Sequence, residues 1–329
     1  ISLSNNDGGA SNTVFGYLAG AALTTNGDNN VVIGDNAGND LTTGDQNTII
    51  GHQAGDALVG GDDNTFIGQS AGGATTAGTS MTIVGRNAGT GVLTTAAVGT
   101  VLVGFGSGAA LTSGVRNLAL GYTAMAAQTT GNDNIAIGWE AMNALNASAA
   151  NNNIAIGNYA LDDATTVAII NNTLIGNEVM SGGSVTAAAD GNTIVGFQGG
   201  TAITSGHSNT FVGSNAGDAI TAANLCVAIG NAALSGAETQ NGTIAIGGAA
   251  GESWTSGIGN VGVGAEVAKD MTTGAYNTII GYKSMYLTQA GDAPDGNTIV
   301  GYQAGYAIRS GPNNTCIGKS AGDTITTGD

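Results

Sequence analysis

The chain has 329 residues, of which 23 are acidic and 6 basic, and its formal net charge of −17 argues against nucleic acid or an anionic membrane surface as a partner. Fifty-eight glycines with only two prolines exclude collagen, and an apolar content of 42% exceeds that of a disordered linker. No stretch approaches the ~20 apolar residues of a membrane-spanning helix, and no signal peptide is legible at Ile1, so the chain reads as a portion of something longer.

From Asn12 onward the sequence is a repeat. The cell Asn12-Thr13-Val14-Phe15-Gly16 returns as Asn47-Thr48-Ile49-Ile50-Gly51 and, lightly edited, eighteen times in all, up to Gly318. Eleven of the seventeen intervals between the closing glycines are 17 residues and the rest are 18, 19 or 20. A fixed period with small insertions is the signature of a solenoid, one coil per repeat, with extra residues bulging from a corner. We therefore expect a single elongated parallel β-solenoid domain over residues 1–329, with eighteen coils stacked to roughly 80 Å at the strand spacing. Positions are numbered below from the closing glycine of each coil, which is position 0.

Position −1 is apolar in every copy (Phe15, Ile33, Ile50, Ile67, Val84 and so on) and reads as the buried column of a short strand. Position −3 carries Thr (Thr48, Thr65, Thr82) or an aliphatic residue (Leu118, Ile135, Ile154) on the same face. The invariant glycine suits a corner that needs positive φ or a close approach to the next coil. Asn stands at −4 in fourteen copies, with Met81, Thr100, Cys226 and Thr243 as the exceptions; stacked asparagines can form an amide ladder. Beyond the glycine come a small residue at +3 (Ala19, Ala37, Ala54) and an aliphatic one at +7 (Leu23, Leu41, Leu58), which predict a second strand and a second turn. Most insertions fall between Gly91 and Thr100 and between Ala144 and Thr193, where loops are expected. Cys226 and Cys316 lie five coils apart at different positions, which excludes a disulfide in a rigid stack and leaves packed thiols.

Position −2 should be polar if the strand has one buried face. It reads instead Val14, Val32, Ile49, Phe66, Ile83, Leu102, then Ala119, Ala136, Ala155, and later Leu174, Ile194, Phe211, Ile279 and Ile299. Such a stripe exceeds what soluble monomers leave exposed, and predicts a homo-oligomer interface along those residues. The column is large beside Thr (Thr65-Phe66, Thr210-Phe211) and Ala beside Ile (Ile135-Ala136, Ile154-Ala155), as if it shared one packing volume.

Cells such as Asn134-Ile135-Ala136-Ile137-Gly138 and Asn153-Ile154-Ala155-Ile156-Gly157, each followed by Ala three residues on, resemble the head repeats of trimeric autotransporter adhesins. The resemblance implies left-handed parallel β-rolls in a homotrimer. The Asn-Thr-Ile-Ile-Gly and Asn-Thr-Phe-Ile-Gly cells with trailing Leu-Thr-Thr-Gly look equally like repeat shafts of phage tail fibres. Either likeness implies a non-catalytic fibre segment, extracellular or on a virion surface, that meets a host glycan or protein receptor, and neither supplies catalytic residues.

Other patterns are weighed against the repeat. Gly68-Gln69-Ser70-Ala71-Gly72 and Gly318-Lys319-Ser320-Ala321-Gly322 match a nucleophile elbow, but their serines hold a position that is Asn36, Gln53 or Glu140 elsewhere. Gly104-Phe105-Gly106-Ser107-Gly108 mimics part of a dinucleotide loop without a following helix. His52 and His207 lie many coils apart and assemble no triad or metal set. The residue at +1 is aromatic in seven copies, Tyr17, Phe105, Tyr122, Trp139, Phe197, Tyr282 and Tyr302, which are candidate glycan or receptor contacts or, equally, packing partners. Asp28, Asp45 and Asp62 share position −6 and should stack at the strand spacing, as a calcium corner or as simply hydrated charges. No other cofactor is implied. Thr-Thr pairs at Thr24-Thr25, Thr42-Thr43, Thr272-Thr273 and Thr326-Thr327 raise an ice-binding solenoid as the alternative function, although the rank is interrupted at Val59-Gly60, Asn146-Ala147 and Glu238-Thr239.

Overall fold

The computed structural model describes residues 10–24, 26–94, 97–145, 150–162, 168–183, 185, 189–237, 241–288 and 294–326. It is an all-β parallel solenoid with about 17 residues per turn, in two compact units, Ile1–Ile170 and Asn171–Asp329. In the first unit, β1 (Thr13–Phe15), β2 (Val31–Ile33), β3 (Thr48–Ile50), β4 (Thr65–Ile67), β5 (Thr82–Val84), β6 (Val101–Val103), β7 (Leu118–Leu120), β8 (Ile135–Ile137) and β9 (Ile154–Ile156) stack in chain order. The second repeats this with β10 (Thr173–Ile175), β11 (Thr193–Val195), β12 (Thr210–Val212), β13 (Val227–Ile229), β14 (Ile244–Ile246), β15 (Val261–Val263), β16 (Thr278–Ile280), β17 (Thr298–Val300) and β18 (Thr315–Ile317). Equivalent positions face each other, as in Thr48↔Thr65, Ile49↔Phe66 and Ile50↔Ile67, so a repeat in sequence becomes a column in space.

Each strand ends at its closing glycine for the predicted reason. Gly51 has φ +139, and a Cβ built on it would stand 2.5 Å from the carbonyl oxygen of Gly68 in the next coil. Only a residue without a side chain lets the coils approach so closely.

The predicted second strand is not formed among the described residues. The backbone beyond the glycine alternates instead between right- and left-handed single residues, with positive φ at +2 and +4, as in Gln53 (φ 55) and Gly55 (φ 52). The alternation sends successive amides in opposite directions: Gln53 N–H donates back to Asp35 O at 2.9 Å, and Gly55 N–H donates forward to Ala71 O at 2.9 Å. The far side is thus a ladder of turns rather than a sheet. Its left-handed +2 residues are mostly not glycine, at a cost of about 1–2 kcal/mol for each L-residue so held. The insertions expected between Gly91 and Thr100 and between Ala144 and Thr193 fall partly outside the described residues, at 95–96, 146–149, 163–167, 184 and 186–188.

The inward face of the strand is the reverse of the one predicted. Position −2 points into the coil: Ile49, Phe66, Ile83, Leu102, Ile194 and Phe211 have no exposed surface. Position −1 points outward, and Phe15 (55%), Leu120 (43%) and Ile317 (68%) are exposed. Both faces of a three-residue strand are apolar here, so alternation gives no polarity cue, and a one-residue slip exchanges the faces. The shared packing volume seen in sequence lies inside each coil. Large −2 residues meet glycine at +4, where a Cβ on Gly72 would lie 3.0 Å from the Phe66 ring and one on Gly217 2.5 Å from Phe211. Where −2 shrinks to Ala136, the +4 residue is the buried Met142; at Gly262, the buried Trp254 fills the space, 2.9 Å from where a Cβ would be.

The predicted asparagine ladder forms and runs inside the coil. Asn47 Nδ2 donates to Asn30 Oδ1 (3.1 Å) and to Gly61 O (2.8 Å), while its Oδ1 accepts from the backbone N–H and Nδ2 of Asn64, each at 3.0 Å. A buried amide costs free energy unless every polar atom is bonded, and this arrangement bonds them all.

Candidate functional site

The interface predicted on the −2 column cannot exist, because its residues are the core. Val14 is half-buried in the first strand, and Val32, Ile49, Phe66, Ile83, Leu102, Leu174, Ile194, Phe211, Ile279 and Ile299 are fully enclosed within their own coils. The surface that the sheet does offer is built from positions −3, −1 and +1. Alternation carries these three positions to the outer side, and not one residue at −3 or −1 is charged in any of the eighteen strands.

The +1 aromatics border this side. Phe105, Tyr122 and Trp139 come from consecutive coils and stack face to face, with centroids 5.2 and 4.2 Å apart, and Arg86 lies 5.9 Å from the Phe105 centroid. In the second unit Tyr282 stacks on Tyr302 at 5.7 Å, and Tyr286 on Tyr306 at 5.6 Å. Lys283 sits 5.3 Å from the Tyr282 ring and 4.9 Å from Tyr286, and Lys319 caps Tyr302 at 5.8 Å. A hydrogen bond to the Tyr282 side chain raises the Lys283 pKa. These rings spend faces on one another, which disfavours sugar stacking on those faces. Among the described residues, Tyr17 and Phe197 are exposed and stack on no other ring.

The stacked aspartates have a structural task. Asp28 Oδ1 accepts from Ala10 N–H at 2.6 Å, Asp45 Oδ1 from Asp28 N–H at 2.7 Å, and Asp62 Oδ1 from Asp45 N–H at 2.9 Å. Asn132, Asn151, Asn224, Asn241 and Asp295 do the same in other coils, so the column is a ladder of acceptors that neutral amides fill equally well. Among the described residues, no three His, Cys, Asp or Glu side chains converge where a metal ion could sit.

Three of the turn threonines are likewise engaged, whereas the buried Thr272 Oγ1 has no hydrogen-bond partner. Thr24 Oγ1 donates to Thr42 O and Thr42 Oγ1 to Val59 O, each at 2.8 Å, and Thr255 Oγ1 to Thr272 O at 2.9 Å. Thr25, Thr327, Asn146, Ala147, Glu238 and Thr239 lie outside the described residues.

The nucleophile-elbow serines Ser70 (φ 56) and Ser320 (φ 54), and Gly106 (φ 62) of the dinucleotide-like stretch, are all +2 rungs of the turn ladder. They stand on no strand-to-helix elbow. His52 Nε2 lies 3.9 Å from Asp35 Oδ2 on the surface, and His207 Nδ1 lies 3.4 Å from its neighbour Ser208. A shallow depression of about 260 Å³, lined by Gln53, Asp56, Ser70, Gly73, Ala74 and Thr90, opens where Gly73 contributes no side chain. Burial raises the Asp56 carboxyl above its ordinary pKa, and Asp40 adds to this while His52 opposes it. Across neighbouring coils Arg116 holds Asp133 by two hydrogen bonds of 2.6 and 2.7 Å, which depresses the carboxyl pKa. Cys226 and Cys316 are buried thiols, and burial pushes the Cys316 thiol up.

No protein-family model, no curated protein and no solved structure matches this chain.

Proposed function

We propose that the chain is a non-catalytic structural segment of an extracellular fibre, wound left-handed as its likeness to adhesin heads implies, with adhesive contacts to a glycan or protein receptor made along its surface. One observation carries this reading: the polar chemistry of the coil is spent on the neighbouring coil. Strand amides, −4 asparagines, −6 carboxylates and carboxamides and several turn hydroxyls bond from coil to coil, in repeating columns. Such bonding gives mechanical continuity and draws no side chains together around a reacting atom.

The test is electron microscopy of the purified chain combined with digestion by proteinase K. The expected result is elongated particles of uniform width whose coils resist cleavage. Compact round particles, or rapid cutting within the strands, would overturn the reading.

A further inference from the structure

We propose that the outer side of the sheet in the first unit is a contact face for a second copy of this chain, met sheet against sheet. The proposal goes beyond the fibre reading, because it names a face and an occupant.

Three consecutive coils of this face are apolar where they are most exposed, whereas the +1 column of the coils before them carries Asp35, His52, Gln69 and Arg86. Val103 and Phe105, Leu120 and Tyr122, and Ile137 and Trp139 lie on three consecutive coils, with Phe105 at 41%, Leu120 at 43%, Tyr122 at 40% and Trp139 at 44% exposure. At −3 the same coils carry Val101, Leu118 and Ile135, so this block has no hydroxyl or charge in its two strand columns. In a chain of net charge −17 whose turns are polar, such a block is a surface that water disfavours.

Its size fits a protein partner. Nine strands about 4.8 Å apart, carrying three outward columns about 7 Å apart, make a face on the order of 800 Å². A stable interface of ordinary size buries about that much on each partner. The three coils before this block bring threonine to −3 (Thr48, Thr65, Thr82), whose hydroxyls can keep water on that side of the dry aliphatic centre.

The geometry points to two copies rather than three. A closed ring of three needs two different patches on each subunit, one for each neighbour, whereas a two-fold pair needs one self-complementary patch. The sheet supplies one apolar side, and the turn ladder across the coil presents Asn36, Gln53, Ser70 and Glu140.

Sedimentation velocity of the full chain at micromolar concentration tests the proposal, alongside Leu120→Glu/Ile137→Glu and a control, Gln53→Glu, that adds charge on the turn side. The expected result is twice the chain mass for the wild type and the control, and the monomer mass for the double variant, with the melting curve of the fold retained. A fluorescence dilution series of the wild type needs no variant: Trp139 emission should shift to the red as the pair dissociates, while the buried Trp254 stays constant. A wild-type monomer at tens of micromolar, three times the chain mass, or an oligomer indifferent to the glutamates would each overturn it. A monomer with thermal hysteresis that the double variant loses would also overturn it, assigning the face to ice. Failure of any of these leaves the fibre reading standing, since that rests on particle shape and protease resistance.

Discussion

The asparagine ladder is interrupted once in each unit, and the two interruptions are filled differently. In the first unit Met81 and Thr100 replace two asparagines, and Thr100 Oγ1 donates to Gly114 O at 3.1 Å, reaching the same carbonyl column that the asparagine amides use. In the second unit Cys226 and Thr243 stand at the gap. Cys226 Sγ lies 3.5 Å from Asn224 O, and the buried Thr243 Oγ1 has no hydrogen-bond partner. Above it, Asn260 Nδ2 still donates to Gly274 O at 2.6 Å, and with no asparagine below it gives its second bond to Gly257 O of its own coil at 3.0 Å. Below each gap the asparagine still serves the backbone: Asn64 Oδ1 accepts from Met81 N–H at 3.0 Å and Asn209 Oδ1 from Cys226 N–H at 2.9 Å. The column therefore tolerates loss of the side-chain amide if a hydroxyl reaches the carbonyl. The same residue type at the same position leaves an unpaired polar atom if it does not.

The comparison can be broken most severely inside an unbroken run. Asn47→Leu removes four side-chain bonds and strands Asn64 N–H and Gly61 O in the interior, while Asn30 Oδ1 keeps only the backbone N–H at position 47. A loss of about 3 kcal/mol or more is expected, read as a lower midpoint in urea, because each orphaned buried group costs about 1–3 kcal/mol. Little change would mean that water reaches the column. Thr243→Asn sharpens the comparison in the other direction. It restores a donor toward the carbonyl column and an acceptor for Asn260, and should raise stability by about 1–2 kcal/mol, with Trp254 fluorescence as the reporter in the same unit. The smallest effects come from the matched pair Thr100→Val and Thr243→Val. The first should destabilise by about 1 kcal/mol because it breaks a bond, and the second should be neutral or stabilising because it removes an unpaired hydroxyl. Equal signs for the two would show that the gaps are not different after all.

Much of the coil was legible in the sequence because a repeat states each position many times. The closing glycine, the strand before it, the amide ladder and the four exceptions to it all follow from residue type and period. The inward face did not, since Ile50 and Ile49 are both aliphatic and only one can be inside. A cue was nevertheless present: a stacked amide must be enclosed to be useful, and alternation places −2 on the same side as the −4 asparagine. The pairing of Phe66 with Gly72 and of Ala136 with Met142 is a second cue, because volumes compensate only between residues that share a cavity. The turn ladder was less legible. Left-handed residues such as Gln53, Tyr159 and Lys283 carry no common chemistry, and their backbone is imposed by the coils on either side. The outward face could be found only after the inward one was known.

The left-handed rungs and the close glycine corners also constrain how such a chain changes length. Each coil is checked against its neighbours at the strand, the amide, the carboxylate and the glycine, so an added or lost residue near any of these throws every column out of alignment. In sequence, the extra residues of the long intervals, such as Gly281 to Gly301, fall between +8 of one coil and −7 of the next. Evolution by duplication is therefore nearly digital in this architecture: whole coils can be copied or deleted without disturbing those that remain, while single residues can be added at one corner alone.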